Sequence, residues 1–413
     1  QVKRSEWGTI LGYFNIYLLF LGGWSWIKYH EESISIRFIL IVTGLLLVTT
    51  IWVPLPALSD DFARYRLDGW VLLHGFIPYD RSPLEWQAYG IPFQEYHLIN
   101  HPTEPTVYSP LALVIFGLLM LPTQDLWIWR LVFSGVHLLN TWLLIRILQN
   151  QGVSTKYAVL VAWSPFIILE TTIGLHYDVF IFTAWLLLLW GYQKKQGGWL
   201  IGSLAALILL KFHFLFFIPL FIYFLGWKRV ILSLFISGAV YGICMLLSSQ
   251  PWRESAEGIY QVVFLTGLQN FLTWTFFDGP GFRLGTLFIG KEIIFIGWLA
   301  LLTIATILIW MKRLPKSLPL FVRCMCLAMV SLLWCSPNVH PWYLLWFLLF
   351  IPLDYAFLRI FLLVPLFHIF SYLPYITWDT QQQWIIPHWN WWLVYGPVLL
   401  LIILFFIRKV RKP

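Results

Sequence analysis

Apolar residues run through this chain in long blocks, and polar residues are confined to the short gaps between them. A helix needs roughly 17–25 apolar residues to cross about 30 Å of hydrocarbon at 1.5 Å per residue. The blocks Ile10–Ile27, Ile34–Val53, Leu126–Leu148, Val179–Tyr192, Val230–Leu247, Glu292–Met311, Leu318–Trp334, Phe357–Tyr375 and Trp391–Ile407 predict spanning helices. Other apolar runs are short or interrupted. Ser109–Leu121 lies between Pro110 and Pro122, Tyr157–Leu169 is broken by Pro165, Trp199–Leu210 and Phe212–Trp227 meet at Lys211, and Pro341–Pro352 completes the set. Runs too short to cross alone line a cavity, because non-helical backbone at membrane depth needs partners other than lipid. The pattern predicts an all-α, polytopic transmembrane protein of about eleven to thirteen membrane segments, some short or re-entrant. No polar linker divides the 413 residues, so a single membrane-embedded domain spanning 1–413 is expected, with one large loop at 58–108 and a second at 248–291.

Composition agrees: 60% of residues are hydrophobic, 11% are charged, and the mean hydropathy is +0.76. The net charge of +8 does not point to nucleic acid, because the basic residues sit in short gaps, at Lys194-Lys195, Lys228-Arg229, Lys312-Arg313 with Lys316, and Arg408 to Lys412. Such clusters orient membrane proteins with the basic loops inside. If Ser109–Leu121 dips without crossing and Trp199–Trp227 forms a V with its apex near Lys211, every cluster falls on one face. The loop 58–108 and the motifs at 174–178 and 336–342 then fall on the other, the extracytoplasmic one, and the C-terminus is cytoplasmic. Four cysteines lie in apolar runs without a His or Cys partner cluster and read as inert buried thiols. The late tryptophans Trp378, Trp384, Trp389, Trp391 and Trp392 read as an interfacial belt.

Charge is concentrated where the chain leaves the second apolar block, in Leu58–Tyr79, with Asp60, Asp61, Arg64, Arg66 and Asp68. Ser59 is a good N-cap, which puts both aspartates in the first turn of a short helix, where the dipole favours ionised carboxylates. From Asp61, the residues Arg64, Tyr65 and Asp68 follow on one helical face. The arrangement suits a general base or a cation anchor; a capped juxtamembrane helix with a solvated charged face is the bland alternative. Lys211, an ammonium within an apolar stretch, is costly enough to suggest a function, unless it snorkels or pairs with Glu170 or Asp178. His213 and His340 are weaker candidates, and Asp178 opens an apolar helix where a carboxylate also stabilises the dipole.

SDDFARYRLDGW followed by Gly75-Phe76-Ile77-Pro78-Tyr79 resembles the first extracytoplasmic loop of the glycosyltransferase C superfamily. The similarity is to bacterial polyprenyl-phosphate-mannose-dependent mannosyltransferases and, more distantly, to the catalytic subunit of GPI mannosyltransferase I. Asn100-His101-Pro102 with Thr106-Val107-Tyr108-Ser109-Pro110 is similar to the N-H-P and T-x-Y-x-P elements of those enzymes. Glu170 with Gly174-Leu175-His176-Tyr177-Asp178 resembles their E…G-x-x-D signature. Lys211 after an apolar run, and Pro341-Trp342-Tyr343 after Pro337-Asn338, match more weakly. The chain departs from relatives that carry D-x-D where it has Ser59-Asp60-Asp61.

The resemblance implies an inverting hexosyltransferase that moves mannose from a polyprenyl-phosphate donor to a lipid or glycan acceptor at the extracytoplasmic membrane face. It implies a multi-pass protein of the bacterial cytoplasmic membrane, with membrane lipids as partners. Transfer needs a carboxylate to take the acceptor proton and cations to hold the departing phosphate. Asp61 or Asp60 fits the first role. Arg64, Lys211 and His340 fit the second, with Tyr65, Asp68, Tyr79, His101, Tyr108, Glu170, His176 and Asp178 as further substrate contacts. No cofactor and no required metal are expected, although adjacent carboxylates could bind a hard cation. A secondary transporter and a membrane polysaccharide polymerase or ligase are the rivals. A transporter would bind near the midplane between similar halves, whereas the polar motifs here cluster toward one face.

Overall fold

The computed structural model describes residues 3–30, 34–53, 59–99, 101–122, 125–247, 291–335 and 340–373, with positions 393, 394, 396 and 400. Outside the described residues lie Asn100, Pro337-Asn338, most of the expected 248–291 loop, the late tryptophan group, most of the expected span Trp391–Ile407 and the cluster Arg408 to Lys412. Among the described residues the regular structure is helical throughout, with no strand, as the apolar periodicity predicts.

The helices are α1 (Lys3–His30), α2 (Ile36–Ile51), α3 (Asp61–Leu73), α4 (Pro83–Tyr89), α5 (Pro110–Met120) and α6 (Leu126–Asn150). A bent pair follows, α7 (Thr155–Ala162) and α8 (Pro165–Ile173), meeting at 47°. Next come α9 (Asp178–Lys194), α10 (Gly197–Leu210), α11 (Phe212–Leu225), α12 (Trp227–Leu247), α13 (Lys291–Met311) and α14 (Leu318–Cys335). A short helical stretch at 341–348 leads into α15 (Ile351–Tyr372). Four of these contain stretches long and apolar enough to cross a membrane, in α1, α6, α12 and α15, or five with the bent pair as one span; six more are apolar but shorter.

Local chemistry fixes the boundaries. The Ser35 hydroxyl caps α2 by accepting from the Phe38 N–H at 3.2 Å, and Ser82 with Glu85 forms a capping box at α4. Pro165 occupies the first turn of α8, where its missing N–H costs nothing, so it starts a new helix and bends the run. The last described span differs from the expected Phe357–Tyr375. Helical structure resumes at Ile351, with Pro352 in its first turn, so the expected segment Pro341–Pro352 divides between 341–348 and α15.

α9 is apolar and buried over most of its surface, with the stripe Phe180, Thr183, Leu187 and Trp190 half-buried ahead of its last turn, which is how such a helix avoids solvent. It packs against α6, α10, α14 and the 341–348 stretch, with Trp185 fully buried along it. By contrast α2, α12 and α13 expose apolar side chains such as Ile41, Phe235 and Leu301 outward, the face expected toward lipid.

The two ends of α9 differ in kind. Asp178 begins it and Lys194 ends it, about 24 Å apart at 1.5 Å per residue. At the lysine end, the Tyr192 hydroxyl donates to the Lys316 carbonyl at 2.7 Å, and Arg229 Nε lies 3.6 Å from where a Cβ on Gly197 would stand. The basic clusters at 194–195, 228–229 and 312–316 therefore gather at one end of the bundle. Because Gly197 and Arg229 meet there, α10 and α11 form a hairpin whose apex, at Lys211, points to the opposite end.

Candidate active site

α3 presents the acidic pair. The expected N-cap, Ser59, is displaced by one residue: Asp60 is the cap, and the Ser59 hydroxyl accepts instead from the Asp61 N–H at 3.3 Å. The Asp60 backbone is turned toward the helical region and its carbonyl accepts from the Ala63 N–H at 3.0 Å, which tightens the first turn and draws Asp60 into it. Asp61 Oδ2 accepts from the Tyr65 hydroxyl at 3.3 Å, one turn on.

Arg64 is engaged within the loop. Its Nε donates to Asp68 Oδ1 at 3.2 Å and its Nη2 to the Glu104 carbonyl at 2.9 Å. Asp68 is buried, and burial raises its carboxyl above the ordinary 3.8, while Arg64 and the Thr106 hydroxyl, 2.5 Å from Oδ2, pull it back. Arg66 pairs with Glu95. The Tyr79 hydroxyl donates to the Tyr108 carbonyl at 2.6 Å, so the G-x-x-P-Y element braces the T-x-Y-x-P element. His101 sits with φ at 44°, and the surrounding chain lowers its imidazole below 6.5 by desolvation, opposed by Asp61.

Aromatic rings tie this loop to the bundle. Tyr65 stacks on Phe116 at 4.6 Å and meets Tyr108 and Tyr177 edge-on at 5.0 and 5.5 Å. The approach is close because of Gly69, where an added Cβ would stand 2.5 Å from the Phe116 carbonyl oxygen. Sequence reasoning passed over Gly69 in favour of its charged neighbour.

The inner wall comes from the E…G-x-x-D segment. Glu170 lies in a π-helical turn, Leu169–Ile173, a distortion frequent at functional sites. Leu175 takes a left-handed φ of 59°, unusual for a bulky residue, and this turn delivers His176, Tyr177 and Asp178 to the head of α9. Asp178 Oδ1 accepts from Lys211 Nζ at 3.0 Å and from Trp346 Nε1 at 2.6 Å. Of the two alternatives, Glu170 and Asp178, the partner of Lys211 is thus Asp178. The ammonium also faces the rings of Tyr343, Trp346 and Tyr177 at 4.3, 4.7 and 5.2 Å.

Glu170 Oε2 accepts from the Tyr372 hydroxyl at 2.8 Å and lies 3.4 Å from His176 Nε2. His176 stacks on Trp342 at 3.8 Å, and Trp342 stacks on His340 at 4.5 Å. Among the described residues, Asp178 Oδ2 and Glu170 Oε1 are buried without a hydrogen-bond partner. His213, a weak candidate from sequence, packs 5.1 Å from Trp346.

The outer loop and the inner wall meet at Asp61. It lies within electrostatic reach of His101, Tyr108, Tyr177, Lys211 and Tyr343. Likewise His340 is within reach of both His101 and Lys211. The sequence-nominated residues thus fall into linked groups: Asp61 with Tyr65, Tyr108, His101 and Lys211; Arg64 with Asp68; and Glu170 with His176 and, through Trp342, His340. Asp60 caps the same helix. The missed contributors are Gly69, Trp346 and Tyr372. Tyr372 carried no signal, lying 202 positions from Glu170. Among the described residues, no group of three His, Cys, Asp or Glu side chains is placed to hold a metal ion.

Carboxylate, ammonium and imidazole held among aromatic rings can move a proton from a hydroxyl and hold an anion. Residues 4–227 match the family model described as alpha-(1->6)-mannopyranosyltransferase, N-terminal domain, of the MptA_B family. The match takes in the outer loop, the E…G-x-x-D segment and Lys211, and ends before His340. No curated protein and no solved structure matches the chain.

Proposed function

The chain belongs to the alpha-(1->6)-mannopyranosyltransferase family and is a membrane-embedded mannosyltransferase, and from that premise we propose its donor, acceptor side and chemistry. The donor is a polyprenyl-phosphate-linked mannose, and the acceptor is a hydroxyl of a lipid or glycan. Transfer takes place at the extracytoplasmic face of the bacterial cytoplasmic membrane, with the basic end of the bundle in the cytoplasm. The gathering of Lys194, Lys228-Arg229 and Lys316 at the far end of α9 from Asp178 supports this orientation.

Asp61 takes the acceptor proton as the hydroxyl oxygen bonds to the anomeric carbon, and the bond from that carbon to the phosphate oxygen breaks. Inversion to an α product requires a β-configured donor. The freed phosphate monoester carries the leaving charge, which Lys211 offsets with the ammonium protons that Asp178 does not take. Asp178 positions that ammonium, and the rings of Tyr343 and Trp346 keep water from it, so the charge acts in a low-dielectric setting. Arg64, committed to Asp68 and the Glu104 carbonyl, holds the loop in place. No divalent metal is required.

The observation that carries this proposal is the run of contacts from Asp61 to the Tyr65 hydroxyl at 3.3 Å, from Tyr65 to the Tyr177 ring at 5.5 Å, and from that ring to the Lys211 ammonium at 5.2 Å. The test supplies purified protein in lipid with mannose linked either to polyprenyl phosphate or to a nucleotide, with and without chelator. Transfer from the polyprenyl donor alone, undiminished by chelator, is expected. Transfer from the nucleotide sugar, or activity lost to chelator and restored by magnesium or manganese, contradicts the proposal.

A further inference from the structure

At the basic end of the bundle, some distance from the transfer site, a cleft of about 630 Å³ opens between α11 and the turn joining α13 to α14. It is lined by Tyr223, Trp310, Met311, Arg313, Leu314 and Lys316. The turn is built rather than loose. The Tyr223 hydroxyl donates to the Leu314 carbonyl at 2.7 Å, and Tyr192, from a different helix, donates to the Lys316 carbonyl at 2.7 Å. Both are backbone tethers, and they do not use the charged side chains of the turn.

Among the described residues the cations are not matched by acid. The ion pairs among the described residues join Arg64 to Asp68, Arg66 to Glu95, His176 to Glu170, Lys211 to Asp178 and Arg323 to Asp354, and none involves Arg313 or Lys316. The Lys316 ammonium stands 5.1 Å over the Tyr223 ring, which orients it without neutralising it. Beside these charges, Trp310 and Met311 are 67% and 68% exposed at the end of an apolar helix. Two uncompensated cations therefore adjoin an apolar wall at the depth where a membrane helix ends. A free phosphate would use the first feature and leave the second in water; a phospholipid uses both, with its phosphate on the cations and its upper acyl chain on Trp310 and Met311.

We propose that this cleft is a binding site for the phosphate headgroup of an anionic phospholipid, held by Arg313 and Lys316. The site is independent of the mannosyl-transfer chemistry and is tested without measuring transfer. Arg313 has a left-handed φ of 48°, a conformation that asparagine tolerates, so Arg313→Asn removes the charge while suiting the backbone. Lys316→Gln leaves both tyrosine tethers in place.

The experiment exposes detergent-purified protein to equal amounts of phosphatidylglycerol and phosphatidylcholine and counts retained lipids by native mass spectrometry. The wild type is expected to retain phosphatidylglycerol in preference. Each single variant should lower that preference about fivefold, the worth of one cation at an anionic headgroup, and Trp310→Ala should weaken retention of the bound lipid. Free glycerol phosphate at the same concentration should not displace it. The proposal is overturned if Lys316→Gln retains the wild-type preference, if both lipids are retained equally by the wild type, or if glycerol phosphate displaces the lipid and so assigns the cations to a soluble anion.

Discussion

Lys211 illustrates how a charge is kept at low solvent exposure. Its ammonium has one carboxylate oxygen at 3.0 Å and three aromatic faces within 5.2 Å, so the cost of desolvation is met by an opposite charge and by ring quadrupoles. Removing one partner leaves the other buried and unpaired, at a cost of about 3–5 kcal/mol. Lys211→Met and Asp178→Asn are each expected to lower unfolding stability by that order, and the double variant by less than the sum of the two. Additive losses in a detergent unfolding series would show that the pair does not act as a unit. A second residue-scale consequence concerns Glu85, whose carboxylate accepts from both the backbone and the hydroxyl of Ser82. Those bonds favour the ionised form and lower its pKa from 4.5. A depressed folded pKa means that the contribution is complete above 4.5 and is lost as pH falls through the lower, folded value. Carboxyl-carbon NMR of the labelled glutamate should give a midpoint below 4.5; a midpoint at or above it would contradict the capping box.

At the scale of elements, the position of Asp61 depends on how closely α3 lies against α5. Gly69 permits that approach, since a Cβ there would come within 2.5 Å of the Phe116 carbonyl oxygen. Gly69→Ala is expected to push α3 outward at a cost of about 1–3 kcal/mol, the usual penalty for overpacking, and to disturb the Tyr65–Phe116 stack. An unchanged melting temperature would show that α3 is free to shift. The elements themselves were legible as apolar blocks with proline and serine punctuation, and the outer motifs were legible because charge is scarce elsewhere. The partners were legible only in part. Asp178 is one of two acids the sequence offers Lys211 and the fold chooses it across 33 positions, whereas Tyr372 meets Glu170 across 202 and nothing local in either stretch encodes that meeting. The Asp60 cap also escaped sequence reasoning, because a tight first turn and a hydroxyl-capped one begin with the same residues.

On the scale of the whole molecule, α9 separates two kinds of chemistry, with Asp178 and the Lys211 apex at one end and the basic clusters at the other. Five exposed tryptophans stand close to helix ends, Trp52 and Trp127 toward the site and Trp199, Trp227 and Trp310 toward the basic end, as interfacial belts do. In the proposed orientation, a site held at one end of the bundle receives a hydroxyl from outside while the proposed lipid-linked donor enters from the bilayer. The central claim is that Asp61 is the base in this site, and one paired measurement tests it: mannosyl transfer and donor binding in Asp61→Asn, with Asp60→Asn alongside. The amide keeps the shape but cannot take the proton, so Asp61→Asn should lower turnover by a factor of about 10²–10⁴ with donor binding retained, while Asp60→Asn loses less. Full transfer activity in Asp61→Asn, or a larger loss in Asp60→Asn, would contradict the assignment.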